Sequence, residues 1–211
     1  RDELAALAEV AVEYGIYVLS DEIYEKLVYD GAEHHSIAAL NPEIKALSIV
    51  VNGVSKAYSM TGWRIGYTGA SAEIIGGMNK VQSQEVSHPS SMSQKAAVEA
   101  LDGPQQSVEE MRQAFDERRR YMVERLNAIA GIECALPQGA FYAYPDVTAY
   151  YGDRCADSVA LCEYLLAEGL VACVPGAGFG TREHIRLSYA TSMELIAKAM
   201  DRVEKALGEL A

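Results

Sequence analysis

Short apolar runs that alternate with amphipathic helical patterns constrain the fold of this 211-residue chain more than any other feature. In the first half, three runs have the length and the Val/Ile content of buried strands: residues 16–20, 47–52 and 65–70. Helical patterns accompany them at residues 4–14, 72–86 and 90–101, and Gly15 is expected to end the first helix. Strands that alternate with helices predict an α/β layer whose strands are mostly parallel.

A domain boundary is predicted at Asp102-Gly103-Pro104, where turn-forming residues follow the last of these helical patterns. A long amphipathic helix comes next, and its apolar face consists of Val108, Met111, Phe115, Met122, Leu126 and Ile129. Beyond it, strand patterns at residues 141–144, 170–174 and 185–189 mix with helical patterns at residues 158–167 and 193–207. We therefore expect two domains: residues 1–104, with a mixed, mostly parallel sheet, and residues 105–211, a smaller α+β domain.

The composition excludes several classes of protein. The formal net charge of −12 argues against a general binder of nucleic acid or anionic membrane, because phosphate groups require a basic surface. No apolar run reaches the roughly 18 residues of a transmembrane helix, and no secretory signal pattern is visible. The four cysteines form no CxxC pair and have no histidine at metal-ligand spacing, so we expect reduced thiols, no metal site and a cytoplasmic location.

The stretch from Gly53 to Gly66 carries the most informative chemistry. Lys56 stands there among small residues, and Arg64 follows it in the same stretch. A lysine that forms a Schiff base must be reachable, partly desolvated and near other positive charge, so that its amine is free at neutral pH. Small residues let a planar ring and a phosphate approach the backbone, and the Arg64 guanidinium suits a phosphate dianion. A lysine after a strand is ordinarily a solvated surface residue, so the surrounding pattern carries this prediction.

Asp21 and Tyr24 place a carboxylate and a phenol at the end of the predicted strand 16–20. Ligands of open α/β sheets collect at the carboxyl ends of the strands. Asp21 can pair with a ring nitrogen and keep it protonated, and Tyr24 can donate a hydrogen bond to a phenolate oxygen of the same ring. In the alternative interpretation, Asp21 caps a short helix and Tyr24 packs beneath it.

Arg186 lies inside the predicted strand 185–189 in a mostly apolar context. Arginine is seldom fully buried without a partner, and a carboxylate bound through two parallel hydrogen bonds is its natural partner. The spacing leaves open whether this carboxylate belongs to the protein or to a substrate.

Two other polar groups invite simpler interpretations. Arg118, Arg119 and Arg120 are balanced by nearby acidic residues, and we expect them to form a solvated helix face. His34 and His35 follow a predicted turn, which favours a surface loop over a metal or acid–base site.

The Lys56 stretch resembles the lysine signature of class I, fold-type I pyridoxal-phosphate-dependent aminotransferases, the aspartate aminotransferase group. Four further motifs resemble this family in its order and spacing: Asp21-Glu22-Ile23-Tyr24, Pro137-Gln138-Gly139-Ala140-Phe141-Tyr142, Val174-Pro175-Gly176 and Ile185-Arg186-Leu187-Ser188-Tyr189-Ala190. The resemblance covers essentially the whole chain.

The resemblance implies an enzyme that moves an amino group between an amino acid and a 2-oxo acid, with pyridoxal 5'-phosphate as cofactor. Lys56 would then hold the cofactor as an internal aldimine and act as the catalytic proton shuttle. Asp21 would bind the pyridinium nitrogen, Tyr24 the 3-oxygen of the ring and Arg64 the phosphate. Arg186 would bind the α-carboxylate of the substrate.

One position departs from the family pattern. Relatives often carry a Ser or Thr three residues before the lysine to bind the phosphate, and Gly53 occupies that place here. Ser55, directly before Lys56, is therefore the candidate hydroxyl for the phosphate.

The resemblance further implies that this chain is a fragment: the C-terminal part of the cofactor-binding large domain, followed by the small C-terminal domain. A cytoplasmic homodimer is expected on the same basis. Two alternatives stay open, a pyridoxal-phosphate-dependent β-lyase of the same fold and a non-catalytic effector or dimerisation domain. The sequence does not identify the amino donor.

Overall fold

A computed structural model describes residues 1–210 and divides the chain into two compact units, Arg1–Glu109 and a second unit that begins at Glu110. The helices are α1 (Asp2–Tyr14), α2 (Pro42–Leu47), α3 (Ala72–Glu85), α4 (Ser91–Asp102), α5 (Gln106–Asn127), α6 (Ser158–Ala167) and α7 (Met193–Gly208). The strands are β1 (Val18–Asp21), β2 (Ser48–Gly53), β3 (Gly66–Gly69), β4 (Tyr142–Ala143), β5 (Val174–Pro175) and β6 (Ile185–Ser188). The division between the units falls inside α5, a few residues beyond the predicted boundary.

The first unit contains a three-stranded mixed sheet in the order β1-β2-β3. Strand β1 runs parallel to β2, with Asp21 beside Val51, whereas β2 and β3 are antiparallel. The prediction of a mixed sheet is thus confirmed, but the prediction of mostly parallel strands is wrong for these three. Residues 54–65 connect β2 to β3 without a crossover helix, and such a connection suits an antiparallel pair.

Helix α2 belongs to the parallel connection between β1 and β2 and was not predicted. It begins at Pro42, the first helical position, and the Asn41 side chain accepts a hydrogen bond from the Ile44 N–H at 2.9 Å. A cap of this type followed by proline is a local start signal for a helix. Helix α1 packs in the same core and ends, as predicted, at Gly15 in the left-handed conformation with φ of 62°. The buried members of this core are Ala8, Ala11, Ile37 and Ile44.

The second unit contains an antiparallel sheet in the order β4-β6-β5. The part of helix α5 in this unit presents its predicted apolar face to the interior, and buried residues on it are Phe115, Met122, Val123 and Leu126. The Phe115 ring stacks on Phe141, with their centroids 5.4 Å apart.

Strand β5 begins later than predicted, at Val174 and not at Leu170. Leu170 adopts a left-handed conformation with φ of 53°, and the Val171 N–H donates to the Leu165 carbonyl oxygen at 3.0 Å. The residues after α6 therefore satisfy a carbonyl group at the end of that helix before they can enter a sheet.

The prediction of a solvated arginine face on α5 is wrong for its middle member. The Arg119 side chain is fully buried, whereas that of Arg120 is 53% exposed. Arg119 donates to Asp116 Oδ1 from Nε at 2.9 Å and from Nη2 at 2.5 Å, and its Nη1 donates to the Pro137 carbonyl oxygen at 2.6 Å. These bonds compensate the guanidinium for lost hydration, which is the condition for burying a charge.

The structure also bears on the expectations about membrane spans and thiols. Among residues 1–210, no helix is both long enough and apolar enough to cross a membrane. All four cysteines are free thiols: Cys134, Cys155, Cys162 and Cys173.

Candidate active site

A cavity of about 470 Å³ lies in the first unit at the carboxyl ends of β1 and β2. Its lining contains a lysine amine, an aspartate carboxylate, an arginine guanidinium and two hydroxyl groups. The lining residues are Asp21, Ile23, Val51, Asn52, Ser55, Lys56, Thr61, Arg64, Ile65 and Gly66. Four side chains that the sequence analysis selected thus share one cavity: Asp21, Ser55, Lys56 and Arg64.

Lys56 is placed by the turn that directly follows β2. Its side chain is half-buried, and its carbonyl oxygen accepts the Ser59 N–H at 3.3 Å. The Lys56 Nζ lies 6.0 Å from the centroid of the Tyr24 ring. The structure therefore brings the predicted lysine and the predicted phenol together, although they are far apart in sequence.

Asp21 ends β1 and is exposed at the cavity. Its Oδ1 accepts a hydrogen bond from the Ile23 N–H at 3.2 Å, which stabilises the turn after the strand. Local capping, the alternative that the sequence left open, thus engages one carboxylate oxygen. Within the described part of this unit, Oδ2 has no hydrogen-bond partner.

Arg64 reaches the same cavity from the segment before β3. It adopts a left-handed conformation with φ of 56°, and its Nη1 donates to the Thr61 carbonyl oxygen at 2.9 Å. This conformation is uncommon for a residue with a side chain and is a form of backbone strain found at ligand sites. The guanidinium is exposed and retains donors that can reach an anion.

Gly53 explains why a hydroxyl is not found at the position that relatives use. A Cβ atom at Gly53 would lie 2.8 Å from the Ile65 carbonyl oxygen and 3.1 Å from the Gly66 Cα. The backbone at the end of β2 lies so close to the backbone at the start of β3 that there is no room for a serine at this position. Ser55, which lines the cavity, is the hydroxyl that remains available beside Lys56.

The turn between Asp21 and Tyr24 rests on a buried acidic group. Glu22 is 7% exposed, and its Oε2 lies 3.2 Å from His34 Nε2. His34 lies in an irregular loop, as predicted, but its ring contacts this interior carboxylate. Together with Glu25, these groups bring three potential ligand atoms within 4.8 Å of one another. Because Glu22 and His34 already bind each other, the cluster does not require an ion.

Arg186 lies in the second unit, on the central strand β6. Its Cζ is 4.3 Å from the centroid of the Tyr142 ring and 4.5 Å from that of Phe179. Within the described part of this unit, no carboxylate lies at ion-pair distance from Arg186. The guanidinium is thus held between two aromatic faces, and its in-plane donors can still bind a carboxylate.

Sequence reasoning missed several residues of these two sites. Asn52 and Thr61 line the lysine cavity, and Phe179 covers Arg186. Thr61 lies in the lysine stretch and Asn52 ends the apolar run of β2, so position alone could have suggested both. Phe179 lies in a short helical turn after Pro175, and its contact with Arg186 depends on long-range folding.

Two tyrosines near the lysine site have perturbed acidities. Burial raises the pKa of both Tyr58 and Tyr67, and the Glu25 carboxylate adds to each shift. The Tyr58 hydroxyl donates to Gln105 Oε1 at 3.2 Å.

A second cavity of about 510 Å³ lies beside β2 and β3. Its lining is mostly apolar and includes one ionisable side chain, Lys45, among the described residues: Ala38, Pro42, Lys45, Ala46, Ser48, Val50, Gly69, Ala70 and Ser71. Its described lining has no carboxylate to pair with Lys45, whereas the lysine cavity combines the Asp21 carboxylate with the cations Lys56 and Arg64.

The chain is similar to several aminotransferases. An aspartate aminotransferase of Bacillus sp. (strain YM-2) is 50% identical over 206 residues, which are 97% of this chain and 53% of the relative. A structure of an aromatic aminotransferase from Pyrococcus horikoshii superposes with a TM-score of 0.93 at 39% identity, covering 100% of this chain and 57% of that one. An aspartate aminotransferase from Rhizobium meliloti gives a TM-score of 0.91 at 42% identity, covering 96% of this chain and 52% of that one.

The chain therefore spans about half the length of the curated relatives that it matches. The model of the family described as aminotransferase class I and II matches residues 1–203. With this match and an α/β aminotransferase fold, the chain belongs to the class I and II aminotransferase family.

Proposed function

We propose that this chain takes part in amino-group transfer between an amino acid and a 2-oxo acid, with pyridoxal phosphate bound in the lysine cavity. Class I aminotransferases use this cofactor. The observation that carries the proposal is the cavity in which Asp21, Ser55, Lys56 and Arg64 converge. Its volume of about 470 Å³ falls in the range of small-molecule sites, which is roughly 300–1,000 Å³.

Four lining groups, together with Tyr24 beside Lys56, would each bind one part of the cofactor. Lys56 Nζ would attach to the aldehyde carbon, and the Asp21 carboxylate would hold the ring nitrogen in its protonated form. The Tyr24 hydroxyl would donate to the 3-oxygen, while Arg64 and the Ser55 hydroxyl would bind the phosphate. When bound, the cofactor supplies an electron sink for the substrate's Cα. Lys56 Nζ, once released from the cofactor, would move the proton of that carbon.

Arg186 is proposed to bind the α-carboxylate of the amino acid. The support is its position between two aromatic rings together with the lack of a carboxylate partner in the described part of its unit. Of the two partners that the sequence left open, this arrangement favours a substrate. We propose aspartate as the donor, because relatives at 44–50% identity bear the name aspartate aminotransferase.

Three further assignments accompany the proposal. The unit Arg1–Glu109 would be part of the cofactor-binding large domain, and the unit that begins at Glu110 would be the small domain. That this half of the relatives' length is the C-terminal one stays a prediction, based on the order of the lysine and arginine motifs. A cytoplasmic location is supported by the four free thiols.

A homodimer is proposed as the functional assembly. Its support is a set of exposed apolar side chains on α1: Leu7 at 62%, Val10 at 50% and Tyr14 at 69%. Such a surface is typical of a region that another protein surface covers. Light scattering after size-exclusion chromatography measures the mass directly, and a monomer at all concentrations would contradict the assignment.

The cofactor proposal is tested by titrating the chain with pyridoxal phosphate and recording its visible absorption. We expect a saturable band in the wild type and in Lys80→Ala, whose lysine is exposed on α3, but none in Lys56→Ala. An equal band in Lys56→Ala would remove this lysine from the role of attachment point.

The reaction class is tested by its products. Aspartate with 2-oxoglutarate should give a new oxo acid and glutamate in equal amounts. A β-lyase needs a leaving group on Cβ, which aspartate lacks, so that alternative is tested with an S-substituted cysteine. Release of a thiol, ammonia and pyruvate in equal amounts would indicate the β-lyase. Cofactor binding without either product would favour a non-catalytic domain.

A further inference from the structure

The turn after β1, residues 21–26, carries both Asp21 and Tyr24 and is stabilised by a residue from outside it. Glu22 lies between them, is 7% exposed and accepts a hydrogen bond from the Ser20 hydroxyl at 3.1 Å on Oε1. Its Oε2 lies 3.2 Å from His34 Nε2, which comes from the loop beyond the next turn. A carboxylate at this depth is costly unless both oxygens are paired, so the loss of His34 would leave Oε2 of the buried Glu22 without its partner.

Glu25 increases the dependence on His34. Carboxylate oxygens of Glu22 and Glu25 and a ring nitrogen of His34 all lie within 4.8 Å of one another. Two carboxylates this close repel each other, and the imidazole is near both. Without the ring, the Ser20 hydroxyl would still donate to Glu22, but the repulsion from Glu25 would act on the turn.

The backbone of the same turn supplies a way to observe its order. The Glu22 N–H donates to the Val51 carbonyl oxygen at 2.8 Å, and the Glu25 N–H donates to the Glu22 carbonyl oxygen at 3.0 Å. The first bond joins the turn to β2 and the second lies within the turn, so both amides exchange faster when the segment opens. Their exchange rates therefore report the position of the segment that carries Asp21 and Tyr24.

We propose that His34 is a positioning residue for the lysine cavity: through the buried Glu22 carboxylate, it fixes the turn that orients Asp21 and Tyr24. The effect on the turn is independent of any ligand. Its consequence for the cofactor rests on the proposed function, in which Asp21 and Tyr24 bind the ring.

The neighbouring histidine provides a matched control. His35 Nε2 lies 3.7 Å from Glu33 Oε2, and the Glu33 side chain is 79% exposed, so this pair lies at the protein surface. The variants are His34→Leu, which removes the donor, His34→Gln, which retains an N–H donor, and His35→Leu. Hydrogen exchange is measured without cofactor in each.

We expect the Glu22 and Glu25 amides to exchange roughly tenfold faster in His34→Leu, because a hydrogen bond to a charged group is lost. His34→Gln and His35→Leu should stay within about twofold of the wild type. Equal rates in His34→Leu and His35→Leu would overturn the proposal. If His34→Leu does not fold, the double variant Glu22→Gln with His34→Leu removes the unpaired charge as well. We expect that double variant to fold and to exchange within a few-fold of the wild type, and a double variant that still does not fold would overturn the action through Glu22.

The affinity for pyridoxal phosphate is then measured in the same proteins by absorption. We expect about a tenfold weaker complex for His34→Leu and near wild-type binding for His34→Gln. A wild-type chain that binds no cofactor would defeat the proposed function, whereas the exchange data would still decide the role of His34 in the turn. Faster exchange with unchanged cofactor affinity would refute the positioning role.

Discussion

Replacing Arg119 by methionine should destabilise the second unit by about 3 kcal/mol, the low end of the cost of breaking a buried ion pair. Methionine keeps much of the side-chain volume but none of the three donors that bind Asp116 and the Pro137 carbonyl oxygen. The Pro137 carbonyl, which belongs to a partly buried residue, would lose its guanidinium partner, and an unsatisfied buried acceptor costs about 1–3 kcal/mol. Asp116 loses less, because its side chain is 27% exposed and Arg120 Nε remains 3.3 Å away.

The assay is peptide-resolved hydrogen exchange, because the single tryptophan, Trp63, lies in the first unit and does not report on the second. The Tyr189 N–H, which donates to the Phe141 carbonyl oxygen at 3.0 Å, joins the residues beside β6 and β4 and reports the opening of the second unit. A loss of about 3 kcal/mol corresponds to roughly 150-fold faster exchange through opening of the unit.

Arg120→Met is the matched control, since the same change one position along the helix removes a side chain that is 53% exposed. We expect its effect to stay within about 0.5 kcal/mol. If Arg119→Met and Arg120→Met accelerate exchange equally, the buried guanidinium contributes no more than a surface charge and the reasoning is refuted.

Three further changes have defined outcomes. Gly53→Ala should lower the free energy of unfolding by about 1–3 kcal/mol, because the new Cβ would lie 2.8 Å from a backbone oxygen. Gly62→Ala is the control, since a Cβ there would meet no atom within 4 Å and should leave the free energy of unfolding nearly unchanged. Urea unfolding measures both. Arg186→Ala should raise the KM for a dicarboxylic amino acid roughly tenfold or more and leave cofactor affinity intact; an unchanged KM would remove it from the substrate site. For Asp146, hydrogen bonds from the N–H and hydroxyl of Thr148 hold the carboxyl pKa below its usual value. Because this pKa is lower in the folded state, the ionised carboxylate stabilises the fold above the unfolded-state pKa of about 3.9, and this stabilisation is lost as the pH falls through the folded-state pKa. Asp146→Asn should therefore be less stable than the wild type at pH 7 but not near pH 2. An equal difference in stability at both pH values would contradict this.

Local sequence signals predicted several elements well. Gly15 ends α1 in the left-handed conformation that glycine adopts without strain, and the apolar spacing of α5 identified the buried face that contains Phe115 and Leu126. These features depend on residues within a few positions of one another. The lysine stretch was equally readable, because the small residues around Lys56 belong to one continuous turn after β2.

Other features depend on contacts that no local pattern contains. Arg118, Arg119 and Arg120 are chemically the same, and only the packing of α5 selects which guanidinium is buried against Asp116 and Pro137. The antiparallel direction of β3 likewise depends on the path of its connection to β2, which apolar content does not specify.

The sequence by itself thus determined the α/β character, the order of most elements and the identity of the side chains with the right chemistry, since these follow from periodicity and residue type. Only the tertiary structure decided that Asp21, Ser55, Lys56 and Arg64 line one cavity, that Tyr142 and Phe179 enclose Arg186, and that His34 pairs with the buried Glu22. The physical reason is that burial and charge pairing are properties of neighbours in space, and residues far apart in sequence become neighbours only when the chain has folded.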